Sequence, residues 1–253
     1  MLERDSAAEY FLSLCDEALA AVAHDSLREE VESVEYRLEA QEDVAISAAL
    51  RQAVEGPAAK DVPKEAAQAP RSATLALLDL ESMLLDCHDC EAWLNRTDAL
   101  STGRGARNPV FLFVVDHVAG DGSFMGEHEK AFFDKWMQAL HLDVSRECHF
   151  TSVIKCPSRA DTIWKGCEDL LKRQIELLDP RVVVMLGSAG CFLATGSGDI
   201  LAARGSVHEY CGHRTVCSFS PAQVLADYQG LRRPVWEDLK LAARLAGTDD
   251  RLK

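Results

Sequence analysis

The sequence predicts an α/β fold: a three-layer α/β/α arrangement with a mostly parallel central sheet, preceded by an N-terminal helical hairpin. Three short runs lead there. Val110–Val115, Thr151–Cys156 and Arg181–Gly187 have β-rich, apolar cores of the length expected for buried strands. Amphipathic helical patterns separate them, at about Glu129–Leu140 and from near Asp161 to Asp179-Pro180. Strands that alternate with helices build a parallel sheet covered on both faces.

In chain order, Ser6-Ala-Ala-Glu9 and Ser26-Leu-Arg-Glu29 fit the capping box that opens a helix. Helical spacing follows each: Phe11, Leu12, Cys15, Leu19 and Val22, then Val31, Val34, Leu38 and later Leu50. Residues 1–55 therefore read as an acidic two-helix hairpin, either a solvated appendage or a module that docks a protein partner. Residues 56–72, rich in Ala, Pro and Lys, read as a linker. Residues 73–253 hold the α/β domain. It begins with a helix from Thr74 through Leu75, Leu78, Met83 and Leu84 to Cys87. Arg104–Pro109 is expected to be loop, and the strand at Val110 empties into the small-residue loop Asp116–Gly122. A short helix follows Gly187, and Val207–Phe219 reads as a hairpin turning at Cys211-Gly212. The last helix is expected to open with Pro234 in its first turn and to end by Gly247.

The chain has 253 residues, 47% of them hydrophobic, enough to bury a full core. No apolar run has the length of a bilayer span, and the acidic start is unlike a signal peptide, so the expected compartment is the cytoplasm. Nine cysteines in a reducing compartment favour free thiols or metal ligands over disulfides. The net charge of −14 does not support strong non-specific nucleic-acid binding. Residues 1–72 carry −9 of it and the remainder only −5, which leaves room for a local basic patch on the larger part.

Several groups have the residue types for chemistry. Cys87-His-Asp-Cys90 is a C-x-x-C pair, whose backbone can fold back so that both thiolates meet one metal. Cys156 and Cys167 supply two more thiols, and Cys167 shares a helical stripe with Trp164, Leu171 and Ile175. Four inward thiolates suit zinc or a [4Fe-4S] cluster, and spacing does not choose between them. Asp116 and His117 stand where a buried strand ends at its carboxyl edge, the usual ligand location in an open α/β sheet. An acid there positions and polarises water. Phe124 is a candidate for stacking on a planar ligand, and Ser218-Phe-Ser-Pro-Ala222 is a second strand-end loop facing the same edge. Gly187-Ser-Ala-Gly190 carries half of a dinucleotide fingerprint and reads as a close helix–strand packing turn.

Together these pieces resemble the family 4 uracil-DNA glycosylases, the iron–sulphur branch of that superfamily, over roughly Thr74 to Ala246. The likeness rests on the cysteine pair, the acid-bearing loop and Phe124-Met-Gly126 in place of Phe-Val-Gly. Thr151-Ser-Val-Ile-Lys-Cys156 stands in place of Thr-Asn-Val-Val-Lys-Cys. Arg204-Gly-Ser-Val-His-Glu-Tyr210 and Val235-Trp-Glu-Asp-Leu239 match the family's C-terminal landmarks. The resemblance implies a [4Fe-4S] cluster on Cys87, Cys90, Cys156 and Cys167. It also implies a DNA repair protein that flips a damaged base, stacks it on Phe124 and hydrolyses the N-glycosidic bond with Asp116 positioning water.

The departures bear on activity. Asp116 replaces the Glu of Gly-Glu-Ala-Pro-Gly, and the Gly and Pro of that loop are absent from Val115–Ala119. Ser152 replaces the Asn that reads uracil, Ser220 replaces the His that bonds the uracil carbonyl, and the interval from Cys156 to Cys167 is short. A Ser hydroxyl offers one rotor where an amide donates and accepts at once. The expected outcome is weak or altered base excision, with Asp116 and Ser220 catalytic and His117, Phe124 and Ser152 lining the substrate site. The alternative is an inactive relative that binds nucleic acid or a replication or repair partner. Arg232 and Arg233 are expected to contact DNA with modest affinity, and the protein to be a monomer with no membrane association.

Overall fold

The computed structural model describes residues 6–25, 73–88, 102–118, 122–156 and 167–252. The chain divides into two units, one of Met1–Leu19 with Arg71–Lys253 and one of Ala20–Pro70. Nearly all of the second lies outside the described residues, and with it the expected second hairpin helix and linker.

Among the described residues six strands form one sheet in the order β1-β3-β2-β4-β6-β5. They are β1 (Arg104–Gly105), β2 (Phe111–His117), β3 (Cys148–Ile154), β4 (Val182–Leu186), β5 (His208–Tyr210) and β6 (His213–Ser218). The central four are parallel, and the short β1 and β5 pair antiparallel at the two edges. The three apolar runs of the sequence are thus the three central neighbours. Every residue of β4 and the first five of β2 are buried, as expected of strands covered on both faces.

The helices are α1 (Ser6–Asp25), α2 (Ala73–Leu85), α3 (Glu127–Ala139), α4 (Val144–Glu147), α5 (Glu168–Leu178), α6 (Ser188–Thr195), α7 (Ile200–Ala203), α8 (Pro221–Ala226) and α9 (Tyr228–Ala246). One face of the sheet carries α3. Phe113 meets Phe133 edge-on at 5.0 Å and stacks on Phe150 at 5.7 Å. The opposite face carries α5, whose Gln174 reaches Thr151, and α2 packs on α5 through Leu80, Leu84 and Leu170. No helix among the described residues is long and apolar enough to cross a membrane.

Four local expectations change. First, α1 is part of the core rather than a solvated appendage. Phe11, Leu14 and Cys15 are buried, and Phe11 stacks on Trp236 of α9 at 4.5 Å. Burying an aromatic side chain stabilises by about 1.5–3 kcal/mol, reason enough for the apolar stripe to leave solvent. Second, Arg104–Gly105 is an edge strand on β3 and not loop. Two residues carry no period for a sequence to display. Third, two single-turn helices that no sequence pattern had announced, α4 and α7, are capped at their N-termini by Asp143 and Asp199. Fourth, α9 begins at Tyr228, capped by Asp227, with Pro234 inside it. The buried face of Val235, Trp236, Leu239 and Ala242 offsets the roughly 3 kcal/mol that an internal proline costs. The hairpin turn falls where expected, with Cys211 and Gly212 both at positive φ, as a two-residue turn of this kind requires.

Candidate functional site

After β2 the chain crosses to β3 on one side, and after β4 it crosses to β6 on the other. The crevice between the carboxyl ends of β2 and β4 is therefore the topological switch point, where open α/β sheets take ligands. Asp116 lies in it. Its Oδ2 accepts the Ser188 backbone N–H at 3.0 Å, and its Oδ1 accepts those of Ala189 at 2.9 Å and Gly190 at 3.3 Å. The anion at the N-terminus of α6 is thus the protein's own carboxylate, which is what the Gly187–Gly190 turn is built around. Gly187 has φ of 124°, and a Cβ there would fall on the Asp116 carboxylate. Burial raises the Asp116 pKa from its ordinary value, and the three backbone N–H bonds oppose that rise. A carboxylate offers about four lone-pair sites. Three are used, so one remains on Oδ2.

The other expected site residues are dispersed. His117 ends β2 and is exposed. Ser152 pairs with Val115 in the register, so alternation along the strands puts it on the opposite face from Asp116. Its hydroxyl is fully buried and has no hydrogen-bond partner among the described residues. Phe124 is buried, with the Arg104 guanidinium 5.5 Å from its ring centre. Both border a cavity of about 300 Å³ floored by Phe133 and Phe150. Asp116, Ser152 and Ser220 do not line that cavity. Ser220 is the N-cap of α8: its hydroxyl accepts the Gln223 N–H at 3.3 Å, and the Ser220 N–H donates to Gln223 Oε1 at 2.9 Å. The structure thus brings Phe124 to Arg104 and Asp116 to α6, and of the five expected residues Phe124 alone lines this cavity.

Cys156 and Cys167 are both buried, at the end of β3 and the start of α5. The backbone N–H of Lys155 points at Cys167 Sγ, 3.4 Å away. Cys87 is half-buried at the end of α2, and Cys90 lies outside the described residues, as do Trp164 and the expected helix start near Asp161. Cys87 and Leu170, one turn beyond Cys167, line a cavity of about 530 Å³ between α2 and α5. Among the described residues no three His, Cys, Asp or Glu converge as a metal site. Lys155 itself is wholly buried. Its ammonium donates to Thr151 Oγ1, to Gln174 Oε1 at 2.8 Å and to the Thr102 carbonyl at 3.3 Å. Burial pulls its pKa down to about 7, and the charge of Cys167 opposes the shift.

Arg232 is engaged rather than open to solvent: it pairs with Asp16 of α1 at 3.0 Å and lies over the Tyr228 ring at 5.0 Å. Arg233, its neighbour, is exposed. Sequence reasoning gave no role to a further group, the buried Asp238. It receives both Nε and a terminal nitrogen of Arg204 at 3.1 Å and the Ser218 hydroxyl at 2.8 Å. This network pins the end of β6, from which Phe219 and Ser220 project. The signal for it was present: Asp238 interrupts the apolar face between Val235, Trp236 and Leu239, where a buried acid needs a partner.

A family model described as Uracil DNA glycosylase superfamily matches residues 116–240. The match begins at Asp116 and takes in β3, β4, β6 and the Asp238 network. No curated protein matches the chain.

Proposed function

We propose that this chain is a uracil-DNA glycosylase-like DNA repair protein that hydrolyses the N-glycosidic bond of a damaged base slowly or with altered specificity. The observation that supports the reading is Asp116, which lies in the crevice between the carboxyl ends of β2 and β4 and has one acceptor site left on Oδ2. In the reaction the C1′–N bond breaks, the base leaves with the electron pair, a water oxygen bonds C1′, and the proton that water gives up ends, through solvent, on the departed base. Asp116 Oδ2 orients that water, and its charge stabilises the cationic sugar as the bond opens. Ser152, whose buried hydroxyl has no hydrogen-bond partner among the described residues, is assigned to the base edge on the resemblance alone, since it faces away from Asp116. Phe124 is assigned to stacking and Arg233 to phosphates, with Arg232 joining it once released from Asp16.

A [4Fe-4S] cluster held by Cys87, Cys90, Cys156 and Cys167 belongs to the same reading. The buried thiols of Cys156 and Cys167 and the backbone N–H aimed at the Cys167 sulphur support it. When bound, the cluster supplies a cross-link between the ends of α2, β3 and the start of α5. The acidic segment 1–72, at −9, suits a basic protein partner.

A second reading, an inactive relative that binds DNA, draws on one observation: the hydroxyl of Ser220 and most of the Asp116 carboxylate are spent on helix N-termini. Base release from single- and double-stranded DNA carrying a panel of damaged bases separates the two. Slow release by the wild type that disappears in folded Asp116→Asn supports the enzyme. DNA binding without any release gives the second reading the lead.

A further inference from the structure

The cavity beside β1 joins an aromatic floor to a charged rim. Phe133 of α3 and Phe150 of β3 make the floor, their rings edge-on at 5.5 Å. Phe124 and Met125 line it too. Val144 also borders the cavity and faces solvent, so it belongs to the mouth. β1 is two residues long and α4 a single turn, so neither extends far over this part of the sheet. The volume of about 300 Å³ stands at the small end of the range for ligand sites, about 300–1,000 Å³. That space suits a small ring system and is too small for a dinucleotide.

Three charged residues border the cavity, and two of them cancel, because Lys130 pairs with Asp134 at 2.9 Å. Arg104 is left over. Its guanidinium lies over the Phe124 ring at 5.5 Å and meets no carboxylate among the described residues, in a chain whose net charge is −14. A guanidinium stacked on an aromatic ring keeps its N–H fork free, and that fork takes a carboxylate in two parallel bonds. The other polar side chain on the wall is Ser145, whose hydroxyl is spent on Asp143 at 2.6 Å. A nucleobase would bury a polar edge here with no free side chain to meet it, which is costly. An aromatic hydrocarbon ring buries no such edge. The site therefore favours a ring with one anionic group at its rim over a base.

We propose that this cavity is a binding site for a small aromatic carboxylate, with the ring on Phe133 and Phe150 and the anion on Arg104. The inference goes beyond base excision and shares only Phe124 with it, since Asp116, Ser152 and Ser220 do not line the cavity. Aromatic rings meet edge-on or offset, the arrangement that Phe133 and Phe150 already have, and a bound ring extends it. The apolar floor gains by losing water to that ring, while the anion stays at the rim and sets the orientation.

The test uses the full chain and two probes of one shape, 2-naphthoate and its neutral amide 2-naphthamide, in calorimetric titrations. The wild type should bind 2-naphthoate one to one with a Kd below about 1 mM, and the amide about tenfold more weakly or worse. Arg104→Gln should weaken 2-naphthoate about tenfold and leave acid and amide alike. Arg104→Lys keeps the charge but not the fork and should fall between the two. Val144→Trp, at an exposed position, fills the mouth and should abolish binding of both probes with Arg104 in place. Thermal unfolding checks that each variant is folded, and Val144→Trp decides the matter if Arg104→Gln is not. No binding by the wild type, or equal binding of acid and amide, overturns the proposal. So does binding that survives unchanged in either folded Arg104→Gln or folded Val144→Trp. None of these measurements involves DNA or base release, so their outcome is separate from that of the glycosylase reading.

Discussion

Replacing Asp116 with Ala removes the acceptor for three backbone N–H groups at the start of α6, at 2.9, 3.0 and 3.3 Å. Ser188 is exposed, so water takes its bond; Ala189 is half-buried and Gly190 buried, so theirs are harder to replace. A hydrogen bond to a charged group contributes about 1.5–3 kcal/mol net, and losing a helix N-cap costs about 1 kcal/mol. Removal of a buried carboxylate returns part of its desolvation cost. The balance is a loss of about 2 kcal/mol at neutral pH, read by urea unfolding. The pH dependence is the sharper test. Burial holds the folded-state pKa above the ordinary 3.8, so as pH falls the folded protein takes up this proton before the unfolded chain does. Asp116 therefore contributes stability that is fully present below about 3.8 and is lost as pH rises through the folded-state pKa. The deficit of Asp116→Ala should be largest in acid and narrow towards neutrality. A deficit that vanishes in acid would show that the N–H bonds outweigh burial, and would refute this account of the crevice.

Phe11→Ala should destabilise the protein by about 3–5 kcal/mol, since the ring is fully buried on Trp236; deletion of residues 1–72 should cost at least as much, and thermal unfolding of both checks whether α1 belongs to the core. Asp16→Ala should free Arg232, strengthening DNA binding modestly and steepening the salt dependence of log K by about one, as titrations at several salt concentrations would reveal. Ser152→Asn with Ser220→His should raise uracil excision by about 10²–10³, the usual worth of a donor aimed at developing charge. The second change removes the α8 cap at about 1 kcal/mol, so an inert but folded double variant would point to the binding reading instead.

What the sequence by itself determined is carried by period and composition. The runs at Phe111 and Val182 are apolar along almost their whole length because both faces of those strands are covered, and burial on two faces leaves few alternatives. The Cys211-Gly212 turn was legible for a similar reason, since local backbone geometry there demands particular residue types. Asp116 at a strand end was legible as a chemical group, but not what it binds. Its partners lie 72 to 74 residues further along, and only the β2–β4 pairing brings them into reach. The same holds for Asp238 with Arg204, for Arg232 with Asp16 across 216 residues, and for Lys155 with Thr102 and Gln174. Spacing along a helix or strand fixes which way a side chain faces, whereas a polar group's partner comes from whichever segment the fold delivers. The acidic stripe on α1 shows both halves of this. Its apolar period announced a buried face, and only the tertiary structure decided that the face is Trp236 and that Asp16 beside it holds a cation expected to meet DNA.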